Sequence, residues 1–220
     1  MSGRLGIDDV SPLISCGRYP SKAVVGEHIP VRATVWREGH DAVAATVVWR
    51  GPGDKSERLT RMDVDDPHAD TWVAEIRPDA TGMWTFRIDA WSDPWATWRH
   101  AVEVKVGAAQ TAEELANDLE NGALLLDRAA RRFPHNGERA MLVSAAKALR
   151  DTDRPLPGRI AEALSEPIQK YMWDNPLRDL VTRGRKYQTW VDRPKALYGS
   201  WYEFFPRSTG GLDELSLIHI

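Results

Sequence analysis

Four aspartates crowd into "MDVDDPHAD" (Asp63, Asp65, Asp66 and Asp70), a density of carboxylates that invites a calcium site. The spacing defeats that reading. Pro67 stands where the third ligand of a calcium loop belongs, His68 where its invariant glycine belongs, and Ala74 where its bidentate glutamate belongs. A solvated hairpin loop is the better reading. "GPGDKS" has the look of a phosphate loop, but Asp54 separates Gly53 from Lys55 and no long helix follows, so it reads as a turn between strands. The six histidines (His28, His40, His68, His100, His135, His219) never pair at three or four residues on a helix. Neither a metal site nor a serine- or cysteine-histidine device can be assembled from that spacing. No catalytic residue is assigned in this chain, and no metal or other cofactor is expected.

Two groups keep a binding reading. Trp91, Trp95 and Trp98 cluster in "AWSDPWATWRH", and flat indoles of this kind either stack on sugar faces or fill a core or interdomain seam. The basic patch "TRGRKYQ", with Arg183, Arg185 and Lys186, either holds a phosphate or forms a solvated surface or an interface pairing.

The elements that must carry these residues divide by period. Seven of the ten tryptophans precede residue 107, in a region that alternates with period two. The alternation runs through Ile29-Val31-Ala33-Val35, Val43-Ala45-Val47-Trp49, Trp72-Ala74-Ile76, Trp84-Phe86-Ile88 and Trp98-His100-Val102-Val104-Val106. Gly/Pro/Asp punctuation separates the runs, which predicts an antiparallel β-sandwich of about a hundred residues. Beyond Gly107 the period becomes helical. Thr111 and Glu114 have capping-box spacing, and Leu115, Leu119, Ala123, Leu126, Ala130 and Phe133 share one face. A second helix places Met141, Ala145, Ala148 and Leu149 inward, and a third runs through Ile160 and Leu164. Pro167 and Pro176 each read as first-turn prolines of further short helices. Tyr187 to Asp192 is β-like again and is expected to rejoin the sandwich, which would make the helical bundle an insertion.

Composition excludes several classes of function. The net charge of −3 arises from 29 basic and 32 acidic residues mixed along the chain, so neither nucleic acid nor a strongly basic partner is indicated. Cys16 is the sole cysteine, which removes an internal disulfide framework and fits a reducing compartment. The N-terminal stretch lacks the apolar core of a signal peptide, and no apolar run approaches the length of a membrane helix. A soluble, cytoplasmic protein that binds no membrane is expected.

Near the C-terminus, "GSWYEFFPRSTGG" is a short aromatic run bounded by turn residues, the pattern of a buried strand that cannot bury itself. "WVDRPKALYGSWYEFFPRSTGG", "VVGEHIPVRATVWREGHDAVAATVVWR", "TGMWTFRIDAWSDPWATWRH", "LANDLENGALLLDRAA" and "NPLRDLVTRG" together resemble the N-terminal region of the bacterial maltosyltransferases that use maltose 1-phosphate, in glycoside hydrolase family 13 and of the mycobacterial type. The likeness spans residues 7–211, and "WYEFFPRS" is its most specific piece.

The resemblance implies a mainly β plus α fold. An immunoglobulin-like sandwich over 1–107, completed by about 186–199, carries a helical bundle insert over 108–185. Residues 200–209 become the first strand of a β/α barrel, with Trp201, Tyr202, Phe204 and Phe205 contacting that barrel, and "LDELSLIHI" over 212–220 departs from the family as a non-native tail. Family members transfer maltosyl units from maltose 1-phosphate to α-1,4-glucan with retention, through two carboxylates about 5 Å apart at the ends of barrel strands. Those groups lie beyond this chain, so the chain itself is expected to be inactive. Its expected role is scaffold and assembly, with a second copy of itself as partner and with glucan and maltose 1-phosphate as substrates of the full-length enzyme. The alternative is a glucan-binding sandwich that uses exposed tryptophans.

Overall fold

The computed structural model describes residues 5–132 and 136–199, and it combines β-sheet with α-helix. Eight strands come first: β1 (Gly6–Ser11), β2 (Ser21–Val24), β3 (Ile29–Trp36), β4 (Val43–Arg50), β5 (Arg58–Arg61), β6 (Asp63–Asp66), β7 (Thr71–Ile76) and β8 (Gly82–Ser92). Five helices follow: α1 (Pro94–Gly107), α2 (Ala116–Arg132), α3 (Asn136–Arg150), α4 (Leu156–Ile160) and α5 (Glu166–Asp174). Strands β9 (Asp179–Arg183) and β10 (Tyr187–Asp192) then lead to a short 3-10 turn at Pro194–Tyr198.

The strands form two sheets. One has the order β1-β3-β7-β6; the other has the order β2-β10-β8-β4-β5, with β9 pairing β8 beside this path. The alternation read from the sequence sets which face turns inward. Val31, Ala33 and Val35 of β3 and Trp72, Ala74 and Ile76 of β7 meet Ala45, Val47 and Trp49 of β4 and Trp84, Phe86 and Ile88 of β8 in one buried core. Val191 of β10 closes that core and is fully buried. Strand β10 inserts between β8 (antiparallel, Trp190 opposite Met83) and β2 (parallel, Trp190 opposite Lys22), so Tyr187–Asp192 does return to the sheet after the helices.

Three sequence expectations are corrected. Trp98–Val106, expected as a strand, is part of helix α1. Asp93 caps that helix, its side chain accepting from the Ala96 N–H at 3.0 Å, and Pro94 occupies the first turn. The cap and the proline start a helix more strongly than alternation starts a strand. The pattern Trp95, Trp98, Val102 is buried at helical spacing, whereas Val104, in phase with the alternation, is exposed. The change from strand to helix therefore falls at Asp93, ahead of the expected Gly107. Second, Pro176 opens no helix; the chain passes from α5 into β9. Third, the insert expected to be wholly helical ends in this strand, with Arg183 opposite Asp89 and Thr182 opposite Ala90.

The helices have their own core. Leu119, Ala123, Leu126 and Ala130 along α2, and Leu115 just before it, are buried as their spacing predicts, against Leu142, Ala145 and Leu149 of α3 and Ile168, Tyr171 and Met172 of α5. Phe133 lies outside the described residues. The capping box closes as read: Thr111 N–H donates to Glu114 Oε2 at 2.7 Å, and Glu114 N–H donates to Thr111 Oγ1 at 3.3 Å. Among the described residues no helix is long and apolar enough to cross a membrane.

Candidate functional site

The three tryptophans singled out by spacing are all buried, at 0% (Trp91), 5% (Trp95) and 6% (Trp98) exposure. None offers an open indole face to a sugar ring, which favours the core or interdomain-seam reading of these positions over the sugar-stacking one. They are instead placed where the sheet meets the helices. Trp91 is on β8, within the buried cluster of the sheets, and its N–H donates to Thr46 Oγ1 of β4 at 3.2 Å. Trp95 and Trp98 stack on each other on α1, with centroids 4.6 Å apart. The Trp98 N–H donates to the Asp118 carbonyl at 2.7 Å and that of Trp95 to Gln169 Oε1 at 3.4 Å, tying α1 to the start of α2 and to α5. A buried indole needs such a partner, and its flat body supplies the packing.

Arg61 joins the two parts. Its guanidinium carbon is 4.9 Å from the Trp91 ring and 3.7 Å from the Trp173 ring, so the cation is layered between two indoles. It donates to Asp93 Oδ2 at 3.0 Å and to the Trp173 carbonyl at 2.9 Å. Burial pushes its pKa down while Asp93 pulls it up, and an arginine stays charged throughout. Arg178 covers Trp91 as well, at 5.4 Å, and burial likewise pushes its pKa down. Sequence reasoning missed Arg61, Asp93 and Arg178 as a set, because β5, the α1 cap and the segment before β9 come together only in space. The one available signal was the Ser-Asp-Pro of "WSDPW", which is a helix start and which the alternation had disguised as a turn.

A groove of about 830 Å³ runs along this junction, between the loop after β3, the start of α1, α2 and β9. Its carboxylates are each held by a cation. Asp41 pairs with Arg37 at 3.1 Å, Asp118 with Lys105 at 2.8 Å, and Asp179 with Arg128. The hydrogen bonds from Arg128 hold the Asp179 carboxyl below the usual carboxylate range. Held in this way the Asp179 carboxyl stays ionised at neutral pH and is a poor proton donor.

The other sequence candidates are on the surface. Asp63, Asp65, Asp66 and Asp70 are exposed on β6 and the turn after it, with Asp65 accepting from Arg32 and Asp66 capping the His68 N–H. Among the described residues no group of three or more His, Cys, Asp or Glu side chains is placed to hold a metal. Asp54 of "GPGDKS" accepts from the Gly51 N–H and from Arg58, which closes the β4–β5 turn. Arg183, Arg185 and Lys186 are exposed. Lys186 lies 3.9 Å from Glu57, whose principal partner is Arg87, and Arg185 covers Tyr187. Trp201, Tyr202, Phe204 and Phe205 lie outside the described residues.

Comparison with known proteins places this arrangement. Residues 3–193 match the family described as alpha-1,4-glucan:maltose-1-phosphate maltosyltransferase, domain N/S. The chain is 49% identical to the maltosyltransferase of that name from Mycolicibacterium smegmatis, over 97% of this chain and 34% of the relative. The Mycobacterium tuberculosis H37Rv protein is 48% identical over 96% of this chain and 33% of its own length. The Corynebacterium glutamicum protein is 49% identical over 97% and 32%. The chain thus spans about a third of the length of the relatives it matches. Two sheets, a set of helices entered through the Asp93 cap, and a strand returning to the sheet at Tyr187 all fall inside the matched residues, and the chain belongs to the family of the N/S domain of alpha-1,4-glucan:maltose-1-phosphate maltosyltransferases.

Proposed function

We propose that this chain is the non-catalytic N-terminal scaffold and assembly region of a cytoplasmic enzyme that transfers maltosyl units from maltose 1-phosphate to α-1,4-glucan. In this reading the two sheets are an immunoglobulin-like sandwich, the segment between β8 and β10 is its insert, and residues 200–209 begin a catalytic barrel. The observation that carries it is the family match over residues 3–193, in relatives about three times as long as the matched region. The exposed Cys16, alone of its kind, fits a reducing compartment. Self-association through this region is part of the proposal.

The test is direct. The purified chain, given maltose 1-phosphate and glucan, should release no phosphate above a buffer blank; release would remove the scaffold reading. Sedimentation at tens of micromolar should show a dimer, and a monomer would remove the assembly role.

A further inference from the structure

The tryptophans exposed to solvent are not those that spacing singled out. Among the described residues Trp36, Trp173 and Trp190 are 44%, 49% and 45% exposed. Their surroundings differ. Trp36 donates its N–H to Asp8 and crowds Gly6, and Trp190 has Met83 and Lys22 as its cross-strand neighbours. Trp173 instead rests on the Arg61 guanidinium, which rests in turn on Trp91, and Arg61 is pinned by Asp93 and by the Trp173 carbonyl. One face of its indole is thereby fixed, at little entropic cost to anything that uses the rest of the ring.

Beside this ring is a small cavity of about 90 Å³, lined among others by Arg61, Asp93, Trp95, Arg99, Gln169 and Trp173. That is room for about three water molecules or a few hydroxyl groups. Arg61 itself is closed off, its Nε buried without an acceptor among the described residues and its other nitrogens held by Asp93 and the Trp173 carbonyl. Arg99 and Gln169 add further amide and guanidinium groups at the wall, joined by a hydrogen bond of 3.1 Å. The charges are already balanced: Asp93 pairs with Arg61, and Glu103 lies 3.8 Å from Arg99. A phosphate would bring excess negative charge to a compensated site, whereas a neutral polyol brings hydroxyl groups to the half-exposed Arg99 guanidinium and an apolar ring face to the indole.

We infer that Trp173, with the cavity lined by Arg61, Arg99 and Gln169, is a binding site for glucosyl units of a neutral α-1,4-glucan. The inference rests on the proposed function for its substrate class. It moves the glucan contact from the sheet to helix α5, where it would hold the acceptor polymer near the enzyme.

The experiment uses the 220-residue chain. In affinity electrophoresis the wild type should be retarded by glycogen in the gel. Trp173→Ala should weaken maltoheptaose binding on the order of tenfold, as loss of a central aromatic anchor does. Trp173→Phe should keep most of the affinity, and Trp190→Ala all of it. In the wild type, maltoheptaose should slow the oxidation of Trp173 by N-bromosuccinimide, read by peptide mass, and leave Trp36 and Trp190 unchanged. This readout needs no variant to fold. A wild type that is not retarded, a Trp173→Ala variant retarded like the wild type, or an unprotected Trp173 overturns the site. Any of these, with no phosphate released from maltose 1-phosphate, removes the glucan site and leaves the scaffold reading standing; phosphate release removes the scaffold reading and not the site.

Discussion

The sheets and the helices bury their apolar residues in opposite ways. The sheet core draws on Leu5 at one end of the chain and Val191 near the other, with β3, β4, β7 and β8 between them. The helical core is assembled from one continuous stretch, Trp95 to Leu177. Side-chain chemistry differs in step. The sheets fill their interior with Trp49, Trp72, Trp84, Phe86 and β-branched residues, whereas α2 and α3 use leucine and alanine at close helix-to-helix approach. Closing the sheets means closing a long loop before any contact rewards it; the helices need no such closure. The helical part is therefore expected to gain structure locally, and the sheets to depend on β10 arriving last in sequence between β8 and β2.

The sharpest way to break this comparison is at that strand. Val191→Asp puts an unpaired carboxylate into a fully buried site and should cost at least about 4 kcal/mol. Near-UV circular dichroism from the sheet tryptophans should collapse while far-UV helix signal persists; simultaneous loss of both would show one cooperative unit. The helical counterpart is Leu126→Ala, at a fully buried position of α2. Its cost should be about 2–5 kcal/mol, seen as a lowered urea midpoint in the far-UV signal.

A smaller effect is expected inside the helical part, where α1 meets α2. Gly122 of α2 lies under Trp98, so an added Cβ would sit 2.3 Å from the indole. Alanine is the better helix former by roughly 1 kcal/mol, yet Gly122→Ala should destabilise by about 1–3 kcal/mol because the ring must move. A stabilised variant in thermal melts would mean that the α1–α2 contact is looser than described.

The smallest concerns Asp179, which Arg128 ties to α2 from β9. Its carboxyl is held below its ordinary value by hydrogen bonds from Arg128. A lowered folded-state value means that its stabilisation is present above the unfolded value, near pH 4, and is lost as pH falls through the lower, folded-state value. Because the pair is partly exposed, Asp179→Asn should cost less than about 1 kcal/mol at neutral pH. The variant and wild type should converge in stability as pH drops below about 4. A gap that stays constant across that range would assign the effect to packing instead.

Legibility followed the range of the interaction. The strands β3, β4, β7 and β8 were readable because alternation with period two states which side chains face inward, and the capping box at Thr111–Glu114 because a cap involves residues three apart. Strand β9 was not readable. "DLVTR" contains two apolar residues, both exposed, and it is a strand because β8 offers an edge to it. Trp98–Val106 was misread because a helix and a strand both accommodate Trp98 and Val102, and the deciding residue, Asp93, lies outside the alternating run. Of the candidate site, Trp91, Trp95 and Trp98 were named from spacing, but spacing does not tell a covered indole from an open one. Trp173, which stands alone in α5, carried no pattern at all.

By itself the sequence determined the family, through motifs spread over most of the chain, and the two periodic regimes, through the residue types that pleated and helical backbones accept. It also determined the capping and turn chemistry, since those interactions span a few residues. Only the tertiary structure decided which tryptophans are open. Exposure of a ring depends on what lies over its faces, and over Trp91 lie Arg61 and Arg178, which reach it from strands and loops remote in sequence. The same cation leaves the second indole, Trp173, covered on one face and half open to solvent, because Asp93 and a backbone carbonyl hold Arg61 between the rings.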